Sequence, residues 1–218
     1  MACSSVRWAW NGSWPAAVSD AATVDRTLIS FVAGCPMSRF PTALLLLVSV
    51  AAASCAADAP LKTVDHVDLP RYMGTWYVIG TIPNMFERGK VATADEYRLR
   101  PDGTIDNWFH YRKGFDAPAK SWHGKAWLPD PKDASRWKVQ LLWPFRSDYS
   151  ILALSDDYRI SLVGLPSRKL LWVLAKDPVI DDAVYQRLLE LARGQGYPVE
   201  QVRKVPQRAE DAGKPGYL

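Results

Sequence analysis

Cysteine is scarce in this chain of 218 residues and is missing from its larger part. The three cysteines are Cys3, Cys35 and Cys55, and none follows Cys55. A disulfide within residues 56–218 is therefore excluded, and so is a cysteine nucleophile there. In an oxidising compartment, a free thiol at Cys55 would have no disulfide partner downstream.

Long apolar runs and blocks of one charge are missing as well. The main apolar run, residues 43–53, is far shorter than the roughly 20 residues that a membrane-spanning helix needs. The 27 Lys and Arg residues are spread along the chain against 23 Asp and Glu residues, which gives a net charge of +4. Without a basic patch, the chain is not expected to bind nucleic acid.

The sequence around the apolar run is typical of a secretory signal peptide. A basic start at Arg39 is followed by the apolar run and by small residues before Cys55. We assign residues 37–54 to this signal peptide. Because a signal peptide works at the N-terminus, we expect Met37 to be the start, and residues 1–36 to be a leader that is not translated or not functional.

The segment Ala-Ala-Ser-Cys at the end of the signal peptide resembles the lipobox of bacterial lipoproteins. In that class the cysteine becomes the acylated first residue, so the resemblance implies lipid attachment at Cys55 and a linker over residues 55–65. Ala56, in place of Asp, resembles the signal for the outer membrane and implies a lipid-anchored, periplasm-facing protein. Ala52 departs from the pattern, which prefers Leu, and an ordinary signal-peptide end near Cys55 is the alternative.

From residue 56 onwards the sequence has the pattern of an all-β protein. Eight short runs of alternating or apolar residues cover residues 75–82, 93–99, 104–113, 121–128, 136–143, 149–154, 158–165 and 169–175. Turn residues such as Pro101-Asp102-Gly103 separate them, and short turns join antiparallel neighbours. We therefore predict an eight-stranded up-and-down antiparallel β-barrel, which has room for one small ligand.

One amphipathic C-terminal α-helix is predicted after the barrel. Apolar residues recur there at helical spacing, namely Val184, Leu188, Leu191 and Ala192. A last strand over residues 199–205 is expected to pair beside the first, within a domain of residues 66–206. Residues 207–218 are expected to form a flexible tail.

Three motifs resemble the signature regions of the lipocalins. They are Gly74-Thr75-Trp76 at the first strand, Ser155-Asp156-Asp157-Tyr158 between two late strands, and the last strand from Trp172 to Lys176. The runs TWYVIG, FERG, GKAW and LLWVLAKDP are most similar to the bacterial lipocalin and apolipoprotein D branch. The resemblance covers nearly the whole chain after Cys55 and implies a barrel with one closed end and one open mouth.

The same resemblance implies a barrel floor built from Gly74, Trp76 and Lys176. Gly74 lets the chain turn tightly into the first strand, Trp76 plugs the closed end, and Lys176 lies over its ring. Lipocalins usually carry Arg at this last position, so Lys176 lacks the planar guanidinium that stacks and forks hydrogen bonds. Residues 83–89 resemble the long loop that covers the mouth.

Alternation along each strand, anchored on the resemblance, predicts the side chains that line the cavity. The predicted ligand-binding residues are Tyr97, Trp108, His110, Arg112, Trp122, Ala126, Trp137, Val139, Leu141, Leu152, Trp172 and Leu174. Leu99, Gly124 and Leu170 fall on the same faces. The strand that carries Leu152 is apolar on both faces, so alternation does not decide which of its faces points into the cavity.

The third strand brings polar groups to the face that we assign to the cavity. We expect Arg112, together with His110, to meet the acidic head group of a lipid, because the guanidinium donors form a planar fork. Alternatively, Arg112 lies at the rim or pairs with Asp95, since a cation inside an apolar barrel needs a partner.

These features predict a protein that binds, stores or shuttles a fatty acid or lysophospholipid, without chemistry on it and without a cofactor. Its partners would be this ligand and, through the acyl anchor, the lipid of the outer membrane. The oligomeric state is left open, and a homodimer is among the states that the sequence allows.

Three alternatives to this function are kept. An enzyme has little support, because no nucleophile-elbow motif surrounds any serine. The isomerase branch of the lipocalins uses a cysteine in the barrel, and this chain has no cysteine there. A carrier of haem, of a metal or of another small hydrophobic ligand is the second; haem or a metal would use His110 and His123, although alternation along its strand puts His123 on the outer face. An interaction module would have a barrel filled by its own tryptophans.

Overall fold

The computed structural model describes residues 60–218, together with the backbone of Trp8 and Ala9. The predictions on the leader's function, the signal peptide and acylation at Cys55 lie outside the described residues. Trp8 and Ala9 form a two-residue strand, β1 (Trp8–Ala9), which pairs antiparallel with Leu154 and Ser155.

Eight strands of alternating residues close into a barrel. They are β2 (Gly74–Thr81), β3 (Val91–Leu99), β4 (Ile105–Arg112), β5 (Lys120–Trp127), β6 (Arg136–Gln140), β7 (Ser147–Ser155), β8 (Ile160–Gly164) and β9 (Leu171–Ala175). Each pairs antiparallel with the next, and β2 pairs with β9 to close the sheet. The predicted eight-stranded antiparallel barrel is confirmed.

A bulge in β7 changes which of its residues face the interior. The register with β8 shifts between Ile151 and Ala153. Ile151 and Leu154 belong to the cluster inside the barrel, whereas Leu152 and Ala153 pack on its outer side, beneath the helix. The prediction that Leu152 lines the cavity is therefore wrong, because the extra residue at the bulge turns its side chain outwards.

The predicted helix after the barrel is confirmed as α2 (Asp182–Gly194). The Asp181 carboxylate accepts hydrogen bonds from the backbone N–H groups of Ala183 and Val184, which caps the first turn. The buried face of α2 packs on the outside of the barrel in a second apolar cluster with β8 and β9. Within residues 60–218, no helix has the length and apolarity needed to span a bilayer.

The C-terminal segment returns to the first barrel strand. Instead of one strand over 199–205, a 3-10 turn at Val199–Gln201 precedes the short strand β10 (Arg203–Lys204), which pairs with β2 as expected. Beyond it, the segment predicted to be a flexible tail is held by backbone hydrogen bonds. Lys204 N–H donates to Gly216 O over 2.9 Å, and Leu218 N–H donates to Lys204 O over 2.9 Å.

Candidate ligand-binding site

The closed end of the barrel is built around Trp76. Its side chain is fully buried, and its Nε1–H donates to Tyr72 O over 2.7 Å. The Lys176 ammonium lies 4.1 Å from the centroid of the Trp76 ring and donates to Met73 O over 2.7 Å. Burial, with a smaller effect of Arg159, lowers the pKa of Lys176 to about 8.

Gly74 and a short helix complete this floor. Gly74 adopts φ +91°, a conformation that favours glycine, just as the chain leaves α1 (Leu69–Tyr72) and enters β2. The helix is tied to the β7–β8 turn, because Asp68 N–H donates to the Tyr158 hydroxyl over 2.9 Å and Arg71 lies over the Tyr158 ring. The structure thus brings Gly74, Trp76 and Lys176 together at one end.

A layer of aromatic side chains lies on the floor. The Tyr97 hydroxyl donates to the Tyr149 hydroxyl over 3.2 Å, and the Tyr72 and Tyr149 hydroxyls are 2.9 Å apart. Trp137 stacks on Tyr149 with ring centroids 4.8 Å apart. Burial raises the pKa of Tyr72, Tyr97 and Tyr149, so all three stay neutral at physiological pH.

A cavity of about 780 Å³ extends from this layer to the open end. The structure places five of the predicted residues in its wall, namely Tyr97, Val139, Leu141, Trp172 and Leu174. Trp137 and Ala126 lie in the buried cluster inside the barrel. Trp122 lies on the inner face beside Phe109 and Tyr111, at ring distances of 5.7 and 5.0 Å.

The predicted parity of the third strand is wrong. In β4 the buried residues are Ile105, Asn107, Phe109 and Tyr111, so Trp108, His110 and Arg112 face outwards. The register gives the physical reason. Asn107 pairs directly with Tyr97, and directly paired residues share a face of the sheet, so an inward Tyr97 requires an inward Asn107.

The three outward residues of β4 have partners on the outer surface. Trp108 stacks on His123 with centroids 4.4 Å apart. His110 Nε2 lies 2.9 Å from a Glu96 oxygen, and Arg112 donates to Ala117 O over 2.7 Å. Arg112 is therefore neither the receptor for a head group inside the barrel nor a partner of Asp95.

His110 and His123 share the outer face, and each is bonded to a different carboxylate. His123 Nε2 lies 2.9 Å from Asp106 Oδ1, whereas His110 is bonded to Glu96. Among the described residues, no group of three or more His, Cys, Asp or Glu side chains is arranged to hold a metal ion.

Sequence reasoning missed the polar groups that the structure does place in the cavity wall. Asp95 and Asn107 border the cavity on adjacent strands. Burial, together with the nearby charge of Glu87, raises the pKa of Asp95 from 3.8 to about 8. The register of the β3–β4 hairpin, around Pro101-Asp102-Gly103, is the signal that could have revealed Asn107.

The loop between β2 and β3 is fastened to the barrel interior by a buried carboxylate. Glu87 accepts hydrogen bonds from Trp172 Nε1–H over 2.6 Å and from the Thr81 hydroxyl over 2.9 Å. Burial raises the pKa of Glu87, and its two hydrogen bonds and Lys90 oppose that shift. Because Trp172 lines the cavity, the loop is attached to the cavity wall itself.

Large apolar side chains surround the open end. Met85 and Phe86 lie in the β2–β3 loop, and Trp143 and Phe145 lie in the β6–β7 connection, with Met85 80% and Trp143 85% exposed. The Lys90 ammonium lies over the Trp122 ring at 4.8 Å and donates to Phe86 O. An apolar rim therefore leads into an apolar cavity.

A closed antiparallel barrel with a plugged floor, an apolar cavity and a following helix defines a β-barrel protein that binds small hydrophobic molecules. The model of the Lipocalin-like domain matches residues 67–207, and the chain belongs to the lipocalin family. The expected bacterial lipocalin and apolipoprotein D branch is likewise confirmed.

Relatives and solved structures agree with this assignment. The outer membrane lipoprotein Blc of Citrobacter freundii is 33% identical over 178 residues, which cover 79% of this chain and 96% of that protein. Temperature-induced lipocalin-1 of Arabidopsis thaliana is 33% identical over 160 residues, which cover 67% and 83%. The crystal structure of Per a 4 from cockroaches matches with a TM-score of 0.53 at 20% identity, covers 69% of this chain and 93% of that chain, and supports the fold alone.

Proposed function

We propose that this lipocalin binds, stores or shuttles a fatty acid or lysophospholipid at the outer membrane and performs no chemistry on it. The observation that carries the proposal is the cavity of about 780 Å³, a size typical of small-molecule sites. Its wall is mostly apolar, and its open end is bordered by exposed apolar residues such as Met85 and Phe145. An acyl chain would bury its methylene groups against Val139, Leu141 and Leu174.

The proposed location rests on the N-terminal sequence and on a relative. The Ala-Ala-Ser-Cys motif supports acylation of Cys55, and Blc of Citrobacter freundii is named an outer membrane lipoprotein. We infer that the barrel is held at the periplasmic side by acyl chains on Cys55. The oligomeric state stays open, with a homodimer among the states that the sequence allows, and sedimentation of the purified protein would test it.

The alternatives have less support in the site. A barrel filled by its own side chains does not fit an open cavity of this size. A haem or metal carrier based on His110 and His123 lacks support, because both lie on the outer face with carboxylate partners.

The test is direct ligand binding with a variant that fills the cavity. Protein purified without detergent should carry extractable lipids that mass spectrometry identifies as fatty acids or lysophospholipids, and after delipidation it should bind 12-carbon ligands in calorimetry. Val139→Trp should reduce this binding at least tenfold, since the larger side chain occupies the space of the acyl chain. Gln140→Trp, on the opposite face of β6, is the control and should bind normally. Failure of the wild type to bind, or normal binding by Val139→Trp, would contradict the proposal.

A further inference from the structure

Asp95 on β3 and Asn107 on β4 form a polar patch in the cavity wall, whose lining also includes the polar residues Asn84, Arg146, Ser147 and Asp148. In the β3–β4 register, Asn107 lies opposite Tyr97 and Asp95 lies opposite Phe109, so the two side chains are diagonal neighbours on the inner face. Both border the same cavity, most of whose other lining is aromatic or aliphatic. Polar groups placed singly in an apolar pocket are the groups that orient a ligand.

Both side chains offer acceptor atoms that the protein leaves without a donor. Asn107 is 4% exposed, and its Oδ1 has no hydrogen-bond partner among the described residues. The Asp95 carboxyl likewise receives no hydrogen bond from residues 60–218, and its accessible part faces the cavity. Buried polar atoms are almost always paired in proteins, so the buried, unpaired Oδ1 of Asn107, a residue of the cavity wall, indicates a missing donor.

The charged groups around this patch do not provide that donor, and the neutral Asp95 carboxyl carries only one proton for the acceptor oxygens of the pair. Glu87, from the loop above, adds a second carboxyl, while Tyr72 and Tyr97 below it use their hydroxyls within the aromatic layer. The Lys90 ammonium lies over the rings of Tyr111 and Trp122. Arg146 and Asp148 also border the cavity; the Arg146 guanidinium lies over the Trp127 ring, and the Asp148 carboxylate is paired with Lys138. The interior near Asp95 therefore favours a ligand that donates a hydrogen bond, and among the described residues it offers an ionised ligand carboxylate no cationic partner.

We propose that Asp95 and Asn107 form a subsite that accepts a hydrogen bond from a hydroxyl or ammonium group on a lipophilic ligand. The inference rests on the proposed function and narrows it. A lysophospholipid or another amphiphile with a free hydroxyl fits the cavity better than an ionised fatty acid. Arg112 was expected to bind the carboxylate of a fatty acid inside the barrel. It lies on the outer face instead, so it does not favour an ionised fatty acid in the cavity.

Two isomeric ligands test the subsite. 1-Dodecanol and methyl undecyl ether have the same atoms, but only the alcohol can donate a hydrogen bond. Calorimetric titration of the delipidated wild type should show the alcohol binding about three- to tenfold more tightly, as one neutral hydrogen bond gives. Asn107→Leu, which keeps the side-chain size, should reduce the alcohol's affinity to that of the ether and leave the ether's affinity unchanged. Gln140→Leu, on the outer face of β6, is the matched control and should keep the preference.

Binding of dodecylamine distinguishes the contribution of Asp95 from that of Asn107. Its affinity for the wild type should increase between pH 6 and pH 8.5, as the Asp95 carboxyl ionises, and Asp95→Asn should remove that increase while keeping the preference for the alcohol over the ether. Equal affinity of the wild type for the two isomers, or a preference that survives in Asn107→Leu, would overturn the subsite and leave the lipid-binding function standing. If neither isomer binds the wild type, the proposed function fails as well.

Discussion

Asp95 carries the clearest pH dependence of any single residue in the barrel. Its pKa is about 8 in the folded protein and 3.8 in the unfolded chain, so between these values the folded state holds a proton that the unfolded state has lost. The stabilising contribution of the neutral carboxyl is complete below pH 4 and is lost as the pH rises through 8. Glu87, whose pKa burial also raises, acts in the same direction.

We therefore expect Asp95→Asn to flatten the pH dependence of stability. Urea denaturation of the wild type should show the free energy of unfolding falling from pH 5 to pH 8, and the variant should show a smaller fall and greater stability at pH 8. The comparison is made below pH 8, because Lys176, with its lowered pKa, adds stability as the pH rises above that value. Parallel curves for the two proteins would show that the Asp95 carboxyl is solvated and that its pKa is not raised.

Trp108 and Asn107 show what single-residue reasoning could and could not reach. Trp108 was assigned to the cavity by strand alternation anchored on the family resemblance, but an outer tryptophan is stabilised here by His123 and Arg98. The pairing of Leu99 with Ile105 and of Tyr97 with Asn107 follows from the hairpin length alone. For this strand, hairpin register was therefore a stronger signal than alternation anchored on the family resemblance.

At the scale of elements, the β2–β3 loop depends on one buried side chain. Glu87→Ala would leave the Trp172 indole N–H without its acceptor and the Thr81 hydroxyl with only the longer contact to Ile82 O, at 3.2 Å. We expect a loss of about 1–3 kcal/mol in the free energy of unfolding and faster cleavage by chymotrypsin after Phe86. Arg88→Ala, at an exposed neighbouring position, is the control and should match the wild type in both measurements. An unchanged cleavage rate in Glu87→Ala would mean that other contacts hold the loop.

The elements differ in how far the sequence defines them. Strands with one apolar and one polar face, such as β6, were placed with the correct face inwards, because alternation is visible there. In β7 every residue from Tyr149 to Ser155 is buried, so the bulge that turns Leu152 outwards has no hydrophobic signature. The contacts of Glu87 with Thr81 and Trp172 depend on the loop conformation, which no local pattern encodes.

At the scale of the whole molecule, the sequence was sufficient for the closed barrel and the helix. Eight separated strand patterns and the Gly-x-Trp motif determine the topology, because short turns leave few other arrangements. The polar patch in the cavity could not be predicted in the same way, since it depends on the combined registers of neighbouring strands.

Attachment to the membrane is the prediction that concerns the molecule as a whole. In cells that process lipoproteins, the wild type should incorporate labelled palmitate and sediment with outer membranes, whereas Cys55→Ala should do neither. Stable attachment needs more than one acyl chain, because each buried CH₂ contributes only about 0.8 kcal/mol and a single chain binds marginally. Thr63→Ala, in the linker after Cys55, is the control and should remain labelled. Unlabelled wild-type protein, free in the periplasm, would refute the anchor.

The double role of Trp172 has an optical consequence. Its indole ring forms part of the cavity wall, while its N–H group is bonded to the carboxyl that fastens the loop. The emission wavelength of an indole depends on the polarity around the ring and on its hydrogen bonding. A molecule that enters the cavity and a loop that detaches from it therefore act on the same chromophore, so the protein contains an intrinsic fluorescent reporter at the junction of its cavity and its loop.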